Sequence, residues 1–578
     1  MNDTKSKKLE IVTLILVVGT ILFSVYRCLL GVDIEDEALY IGDPLFVAHG
    51  STPFVNNWLQ TPGFSFFLAP VVGLYELFVP SHQGIFLFMR IFFLLAKVIM
   101  YIGINFSFRK SRYKYAFRLV SIPLISNFFC IIPAFNYTNI PLLGLLMVGV
   151  LLLYQWSYGK TQKIKILPYI SGIIMACITL CSPTQAVNCL VILFFYYIYI
   201  DKYAGSRYIL GGAMTAVFFS GYMIIKAGSL PKFIHSLETL LKHPYFNFGT
   251  STLSWQAYQI FPVAVECVII EVVCVLIMEV VRRLFIKKDS FIWSCNNGLV
   301  LGTFIGMLYI LFRYEQYPLW IRIIVLLSIG SFFFRFISGS TEVNRLFDFV
   351  AIPEIVTFLG MAFTVYAGVF GRFYVFVPMA LICLVYIYDI LQKEVGNKCF
   401  YITTIYIVLF LIAMVRYQMS TIYGEFNSDG QLTSVKNLTT RVEEGVYAGL
   451  YTTSEKSTLL QKLESYIRLH TSRGEYVLFM DRVPMTYLMT EAYSCAPTSW
   501  DPQLYASGYR GESNMLQDYF ETVDKIPDKI IYVQTSDTRT ISIEDDNYEF
   551  TQYVKQNYVL DEEETIENKY YVWVYTKN

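Results

Sequence analysis

Apolar stretches of about 20 residues recur along the chain from Ile11 onward, separated by short polar or basic turns. A helix of that length crosses the roughly 30 Å hydrocarbon core of a bilayer. The pattern predicts about 13 spanning helices, near 11–30, 84–106, 117–135, 140–157, 166–181, 185–200, 207–226, 260–285, 296–312, 319–336, 350–370, 373–391 and 400–417. Turns between 290 and 350 carry no decisive charge, which leaves the count open there by one pair of helices.

Basic residues set the predicted orientation. Three lysines lie within residues 5–8, and the run Arg109–Arg118 follows the second span, so the positive-inside rule places both in the cytoplasm. No small-residue cleavage site follows the first apolar run, which favours an uncleaved span over a signal peptide. Residues 32–83 then form an outward loop, whose apolar part, Pro62–Pro80, is expected to lie along the outer leaflet. Other outward loops are expected at 136–139, 182–185 and 228–259.

The composition becomes polar from about Ser420, and apolar runs shorten to strand length at Tyr476–Met480, Lys529–Val533 and Tyr570–Tyr575. Helix-like stretches alternate with these runs, at Glu455–Leu469 and Asn514–Val523. Such alternation is typical of a small α/β domain. We therefore expect a membrane domain, 1–419, and a soluble domain, 420–578, which an odd number of spans places outside the cell.

Composition supports a membrane protein and excludes several other classes. The chain is 55% hydrophobic and 16% charged, against roughly 25% charged for a soluble domain. Its 45 basic residues balance its 45 acidic ones, and no basic stripe with interleaved aromatics appears, which argues against a nucleic-acid partner. The 11 cysteines and five histidines show no ligand or disulfide spacing.

The densest group of chemically active residues directly follows the first span, with Asp33, Glu35, Asp36, Glu37 and Tyr40. Carboxylates at a membrane surface can bind a divalent cation or act as a general base on an acceptor hydroxyl. On spacing alone, acids that simply fill a solvated loop are the better explanation.

A longer order of residues changes that assessment. Asp36, Glu37 and Tyr40 are followed by Gly50 and Pro53, then by Gln60, Thr61 and Pro62 before the apolar juxtamembrane segment, and then by Arg90 in the next span. This order resembles the first outward loop of the GT-C superfamily of membrane glycosyltransferases. Protein O-mannosyltransferases and lipid A aminoarabinose transferases belong to that superfamily. The specific motifs lie in about the first 190 residues, while the topology of the whole chain is similar.

The resemblance implies a polytopic helical enzyme of a bacterial cytoplasmic membrane. It implies inverting transfer of a sugar from a polyprenyl-phosphate donor to a glycan, lipid or protein acceptor at the outer face. In the family an acidic residue of this loop is the catalytic base or a metal ligand, and Asp36 and Glu37 occupy the matching positions. Asp36 is the first candidate for the base and also a candidate ligand for Mg²⁺ or Mn²⁺. Tyr40 and Gln60 are implied contacts of the donor.

The chain also departs from the family pattern. Asn136 and Asn139 stand in the next outward loop, where the family often has a second acid, and they are candidates for sugar or metal binding or for capping helix ends. Gln60 replaces a lysine that would meet the donor phosphate. Arg90 is therefore a candidate phosphate contact, with a packing ion pair as the alternative, and Arg345 resembles a later basic residue that faces the phosphate.

Two other functions remain open from the sequence. A transporter or lipid-carrier flippase would also need about a dozen spans, although the chain shows no two halves with matching mid-membrane ionisable residues. A noncatalytic protein of cell-envelope assembly would use the soluble domain as a binding module. In the enzyme hypothesis, that domain is expected to bind or orient the acceptor.

Overall fold

The computed structural model describes residues 3–59, 61–126, 132–158, 164–241, 250–286, 290–337, 340–364, 374–420, 422, 424–425, 433–480, 483–500, 515–523, 525–535 and 549–578. Gln60 and parts of the predicted spans at 117–135 and 350–370 lie outside these residues.

Residues up to 420 are mainly helical. Their α-helices are α1 Asp3–Cys28, α2 Asp36–Ala48, α3 Gly63–Phe78, α4 Ile85–Ser107, α5 Lys114–Val120, α6 Ile122–Ser126, α7 Asn139–Tyr158, α8 Leu167–Cys181, α9 Ala186–Phe195, α10 Lys202–Ala227, α11 Leu230–Leu241, α12 Thr250–Val281, α13 Phe291–Arg313, α14 Gln316–Ile337, α15 Thr341–Leu346, α16 Ile352–Thr364, α17 Val377–Val395 and α18 Cys399–Ser420.

Within the described residues, nine helical segments are long and apolar enough to cross a membrane: Lys7–Cys28, Ile85–Ser107, Asn139–Tyr158, Pro183–Ile200, Lys202–Ala227, Tyr258–Ile286, Phe291–Arg313, Pro318–Ile337 and Tyr374–Ser420. The last segment contains two helices, α17 and α18, joined by the short turn Gly396–Lys398. The chain is thus a mostly helical, membrane-type protein, and the count of 13 stays a prediction. Two long helices, α13 and α14, fill most of the stretch 290–350 that the sequence left open.

The loop 32–83 contains two helices, α2 and α3, that pack against each other. Helix α3 falls where the sequence predicts a juxtamembrane helix. Helix α2 was not predicted, because Gly42, Asp43 and Pro44 interrupt its apolar pattern. Both faces of α2 are nevertheless buried, from Glu37 to Phe46.

The C-terminal region ends in a five-stranded sheet. Its order is β4-β3-β5-β7-β6, with β3 parallel to β4 and β5 and with β7 antiparallel to β5 and β6. The elements of the region are β1 Thr440–Arg441, β2 Tyr451–Thr452, α19 Ser454–His470, β3 Tyr476–Met480, β4 Tyr493–Ser494, α20 Met515–Val523, β5 Lys529–Thr535, α21 Glu549–Asn557, β6 Tyr558–Ile566 and β7 Tyr570–Lys577. The three strands expected from the sequence are confirmed as β3, β5 and β7.

The loop 32–83 and the C-terminal region share one hydrophobic core. The rings of Phe86 and Tyr447, for example, lie 4.1 Å apart between centroids, and Gly84 N–H donates to the carbonyl of Gly445 at 2.9 Å. Both contacts are at the start of α4. Beyond the other end of α4, the hydroxyl of Tyr113 donates to Asp389 at 2.6 Å. The acidic loop and the C-terminal region therefore lie at one end of the helical bundle, and the basic run Arg109–Arg118 lies at the other.

Candidate functional site

Asp33 organises the start of α2. One oxygen of its carboxylate accepts from the N–H of Glu35 at 3.0 Å and the other from the N–H of Glu37 at 2.8 Å. The first N–H groups of a helix have no partner within the helix, so this capping stabilises α2 in place. It also sets Asp36 and Glu37 in the first turn, where the helix dipole favours negative charge.

Glu37 is fully buried and forms a two-point ion pair with Arg90, at 2.7 Å to Nε and 2.6 Å to Nη2. Arg90 also donates to the carbonyls of Cys28, Leu30 and Gly31, at 2.9, 3.1 and 2.9 Å. These contacts occupy all five N–H groups of the guanidinium. Arg90 thus has the packing role that was the alternative from the sequence, and in this geometry it has no donor left for a phosphate.

Asp36 is more exposed than Asp33 and Glu37. Asp33 and Glu37 are buried, whereas Asp36 is half-buried, as is Glu35. Asp36 and Glu35 are therefore the more exposed carboxylates among residues 33–37. Asp36 lies in the first turn of α2, beside a buried ion pair and a capped helix end.

Tyr40 connects the loop 32–83 with the turn before α7. Its ring makes edge contacts with the rings of Phe64, at the start of α3, and Tyr137, with centroid distances of 5.7 and 5.8 Å. Tyr40 is itself buried. The structure thereby brings Asp36, Glu37, Tyr40 and the turn 132–139 to one end of the bundle.

Asn136 and Asn139 shape that turn. The side-chain oxygen of Asn136 accepts from the N–H groups of Thr138 and Asn139 at 2.9 and 2.8 Å. The side-chain oxygen of Asn139 accepts from the N–H of Asn136 at 2.9 Å, and its amide donates to the carbonyl of Ala134 at 2.6 Å. Both residues are buried. Asn136 caps the start of α7, which is the capping role considered from the sequence, whereas the side chain of Asn139 braces the turn before the helix.

A metal site at Asp36 does not fit the residues around it. Mg²⁺ and Mn²⁺ bind through several oxygen ligands, but the oxygens of Asp33, Glu37, Asn136 and Asn139 are already hydrogen-bonded. In the part of the chain that the structure describes, no three His, Cys, Asp or Glu side chains are grouped to hold a metal ion. We therefore derive no step through a metal.

Arg345 does not join the site. It lies in α15, donates to Asp348 at 2.8 Å and stacks over the ring of Tyr199, 4.0 Å from its centroid. Glu342, in the same helix, accepts from Ser111 at 2.8 Å, so α15 lies at the end of the bundle that carries the basic run. Arg345 and Asp36 therefore lie at opposite ends of α4, and the contact of Arg345 with the donor phosphate stays a prediction that this arrangement does not support.

Two buried acids have larger roles than the sequence indicated. Burial and the charges of Asp36 and Glu37 raise the pKa of Asp33 to about 7, a value that often accompanies functional sites. Asp43, also fully buried, joins three segments by accepting from Asn57 at 2.8 Å, Ser65 at 3.0 Å and Ser499 at 3.3 Å. Both residues belong to the acidic loop, but their partners are set by tertiary packing that sequence spacing does not reveal.

An apolar cavity lies beside the site, between α8, α10 and α11, with Phe54 of the loop 32–83 at its edge. Leu180 lines the cavity. A Cβ added to Gly63 would lie only 2.1 Å from the carbonyl oxygen of Leu180, so α3 begins directly against the cavity wall. The next residue, Phe64, contacts Tyr40. The cavity and the acidic turn are thus linked through the start of α3.

In comparisons with known proteins, no family model and no curated protein matches this chain.

Proposed function

We propose that this chain is a GT-C-type glycosyltransferase that transfers a sugar from a polyprenyl-phosphate donor to an acceptor at the outer face of the cell membrane. Asp36 is the general base in this proposal. The observation that supports it is that three nearby acids have different roles: Asp33 caps α2, Glu37 binds Arg90, and Asp36 is half-buried in the first helical turn that these contacts hold. Glu35 is also half-buried, but it lies before the helix.

The reaction is a single displacement at the anomeric carbon. The acceptor oxygen attacks that carbon while the carboxylate of Asp36 takes the hydroxyl proton. The bond between the anomeric carbon and the donor phosphate oxygen breaks, and the phosphate leaves with the electron pair. Attack opposite the leaving group inverts the anomeric centre.

The apolar cavity beside the site supports a lipid-linked donor. A polyprenyl chain needs an apolar surface, and the lining of this cavity is almost entirely apolar, with Met175, Phe219 and Met223 among its members. Placing the acidic loop outside and the N-terminus in the cytoplasm agrees with the basic run at the opposite end of the bundle. The C-terminal region is then extracytoplasmic, next to the acceptor.

The test is transfer of radiolabelled sugar from a panel of polyprenyl-phosphate donors in membranes that carry the native chain, Asp36→Asn or Asp561→Asn. Asp561 lies on the exposed edge strand β6 and is the matched control. Loss of transfer in Asp36→Asn alone supports the reaction and the base. Transfer that survives in Asp36→Asn removes Asp36 as the base, and no transfer by the native chain from any donor overturns the enzyme proposal.

One observation favours the transporter or lipid-carrier flippase as the second candidate. Glu271 lies within the span Tyr258–Ile286, is fully buried, and accepts from Thr303 at 3.0 Å. Ionisable residues inside a membrane often mark a transport pathway. Lipid-carrier translocation that is lost in Glu271→Gln but retained in Asp36→Asn would favour this candidate over the glycosyltransferase.

A further inference from the structure

The C-terminal region binds the backbone of residues 31–33, directly before the turn that carries Asp36. Lys456 donates to the carbonyl of Val32 at 2.7 Å, and Glu425 accepts from the N–H of Val32 at 2.6 Å. Both polar backbone groups of one loop residue are therefore held by side chains more than 390 positions away in the sequence.

Lys456 and Glu425 also interact with each other, with 3.6 Å between Nζ and Oε2. Glu425 is fully buried, and Thr452 donates to it at 2.7 Å. A buried charge is expensive unless it is paired and hydrogen-bonded. Val32 therefore cannot move away without leaving this buried pair short of hydrogen-bond partners.

Tyr447 holds the next residue. Its hydroxyl donates to the carbonyl of Asp33 at 3.0 Å, while its ring packs on Phe86 at the start of α4. The side chain of Asp33 in turn accepts from the N–H of Glu37. A continuous series of contacts thus runs from the C-terminal region, through the backbone of Asp33, to the first turn of α2.

Two glycines allow this close approach. Gly31 has a φ of +83°, and a Cβ there would lie 2.2 Å from Ile422. Gly424 has a φ of +78°, and a Cβ there would lie 2.6 Å from the Cα of Asp33. Any other residue at either position is strained by its backbone conformation and would push the two segments apart.

We propose that Tyr447, Lys456 and Glu425 are positioning residues of the Asp36 site, so that the C-terminal region forms the support of the catalytic turn and is not a detachable acceptor-binding module. This inference rests on the proposed glycosyltransferase function for its kinetic consequences. That Tyr447, Lys456 and Glu425 hold the backbone of residues 31–37 in place does not depend on which reaction the protein catalyses.

The first test compares Tyr447→Phe with Tyr558→Phe in the full-length protein. Each change removes one buried hydroxyl that donates to a carbonyl, Asp33 in the first case and Pro527 in the second, at 3.0 and 2.8 Å. Of these two tyrosines, Tyr447 is the one that contacts residues 31–37. We expect amide hydrogen exchange of residues 31–37 to rise in Tyr447→Phe and to stay native in Tyr558→Phe, with similar melting temperatures for both variants.

The kinetic readout is the split between kcat and KM. Losing one such hydrogen bond corresponds to a fall in kcat of about three- to tenfold in Tyr447→Phe, with the KM for the donor unchanged because the apolar cavity is not touched. Tyr558→Phe should transfer at the native rate. Native kcat together with native exchange at 31–37 in Tyr447→Phe overturns the proposal.

The second test separates positioning from folding. Lys456→Met leaves Glu425 as a buried charge without a counter-ion, so its melting temperature and kcat should both fall. Adding Glu425→Gln removes that charge but keeps an acceptor for Val32 N–H, so the melting temperature should recover while kcat stays low, because the Val32 carbonyl is still not held. Recovery of kcat together with the melting temperature would reduce Lys456 and Glu425 to a purely structural role.

These outcomes are distinguishable from failure of the proposed function. If the native chain transfers no sugar, kcat and KM cannot be compared between the variants. Hydrogen exchange in Tyr447→Phe still measures how firmly residues 31–37 are held. Unchanged exchange there would overturn the inference even if Asp36 proves to be the base.

Discussion

Removing the charge of Asp36 should affect activity, whereas removing the charge of the adjacent Glu37 should affect the stability of the fold. Glu37 is fully buried against Arg90. Glu37→Gln keeps the size of the side chain but leaves the guanidinium buried without a counter-ion. Removing one partner of a buried ion pair costs about 3–5 kcal/mol. The amide oxygen of glutamine can still accept one hydrogen bond, so we expect a loss of about 3 kcal/mol in the free energy of unfolding.

Asp36→Asn should instead leave stability nearly unchanged. Asp36 is half-buried, and its charge helps to raise the pKa of Asp33. Neutralising it relieves repulsion between the two carboxylates, so we expect a change within about 1 kcal/mol of the native value. Sugar transfer should nevertheless be lost, because the acceptor proton has no base. Glu37→Gln should therefore lose stability, whereas Asp36→Asn should lose only activity.

The assay is reversible unfolding in detergent followed by tryptophan fluorescence, run beside the transfer assay. Glu10→Gln is the matched control for Glu37→Gln, since the Glu10 side chain is 57% exposed and lies 4.0 Å from Arg118. Such a surface pair contributes at most about 1 kcal/mol. The reasoning is refuted if Glu37→Gln unfolds like Glu10→Gln, or if Asp36→Asn is destabilised as much as Glu37→Gln.

Three further variants test the surroundings of the site. Arg90→Lys should cost about 2–4 kcal/mol, because an ammonium cannot replace the two-point contact with Glu37 and the three carbonyl contacts; the same unfolding assay measures it. Because the pKa of Asp33 is raised, the folded state keeps a proton that the unfolded state releases. The free energy of unfolding should therefore fall by up to about 4 kcal/mol as pH rises from about 4 to about 7. Asp33→Asn should remove this pH dependence when unfolding is measured across the same range. Asn139→Ala should cost about 1–3 kcal/mol, because it removes the buried hydrogen bonds from the Asn136 N–H and to the Ala134 carbonyl in the turn before α7. It should not change any dependence of transfer on Mg²⁺, which a chelator titration measures.

The hydrophobic pattern predicted the long helices and the main strands well, because each depends on its own residues. A run such as Phe291–Arg313 is apolar over a full bilayer thickness, and Tyr476–Met480 is an apolar run of strand length. Strand β6 was missed because acidic residues fill it, from Asp561 to Glu564. It is an edge strand, where charged side chains prevent pairing with other chains and hide the usual strand pattern.

Helix α2 shows the limit of local patterns in a different way. Its apolar residues face the C-terminal region and α3 at once, so they do not form one stripe, and Pro44 lies within it. Part of the burial that stabilises α2 comes from α3, and part comes from residues more than 390 positions away, such as Pro484 to Tyr487. No short window of sequence contains both groups of partners.

The sequence predicted which candidate residues come together, but not the partners of each one, for the same reason. Asp36, Glu37, Tyr40, Asn136 and Asn139 do lie at one end of the bundle, as the order of loops and spans indicated. The partners of Arg90 and Arg345 were not predictable, because an arginine pairs with whichever acid the fold brings near it. Arg90 reaches Glu37, 53 residues away, whereas Arg345 reaches Asp348, three residues away.

The shared core between loop 32–83 and the C-terminal region changes how truncation experiments are to be interpreted. Deleting residues after about 420 would test an acceptor-binding module only if the membrane domain kept its site. That deletion instead removes the partners of Gly31, Val32 and Asp33, and it exposes the apolar side of α2. Lost transfer in a truncated chain would therefore follow from a displaced Asp36 as readily as from a lost acceptor. Point variants that keep the core intact, such as Tyr447→Phe, separate these two causes.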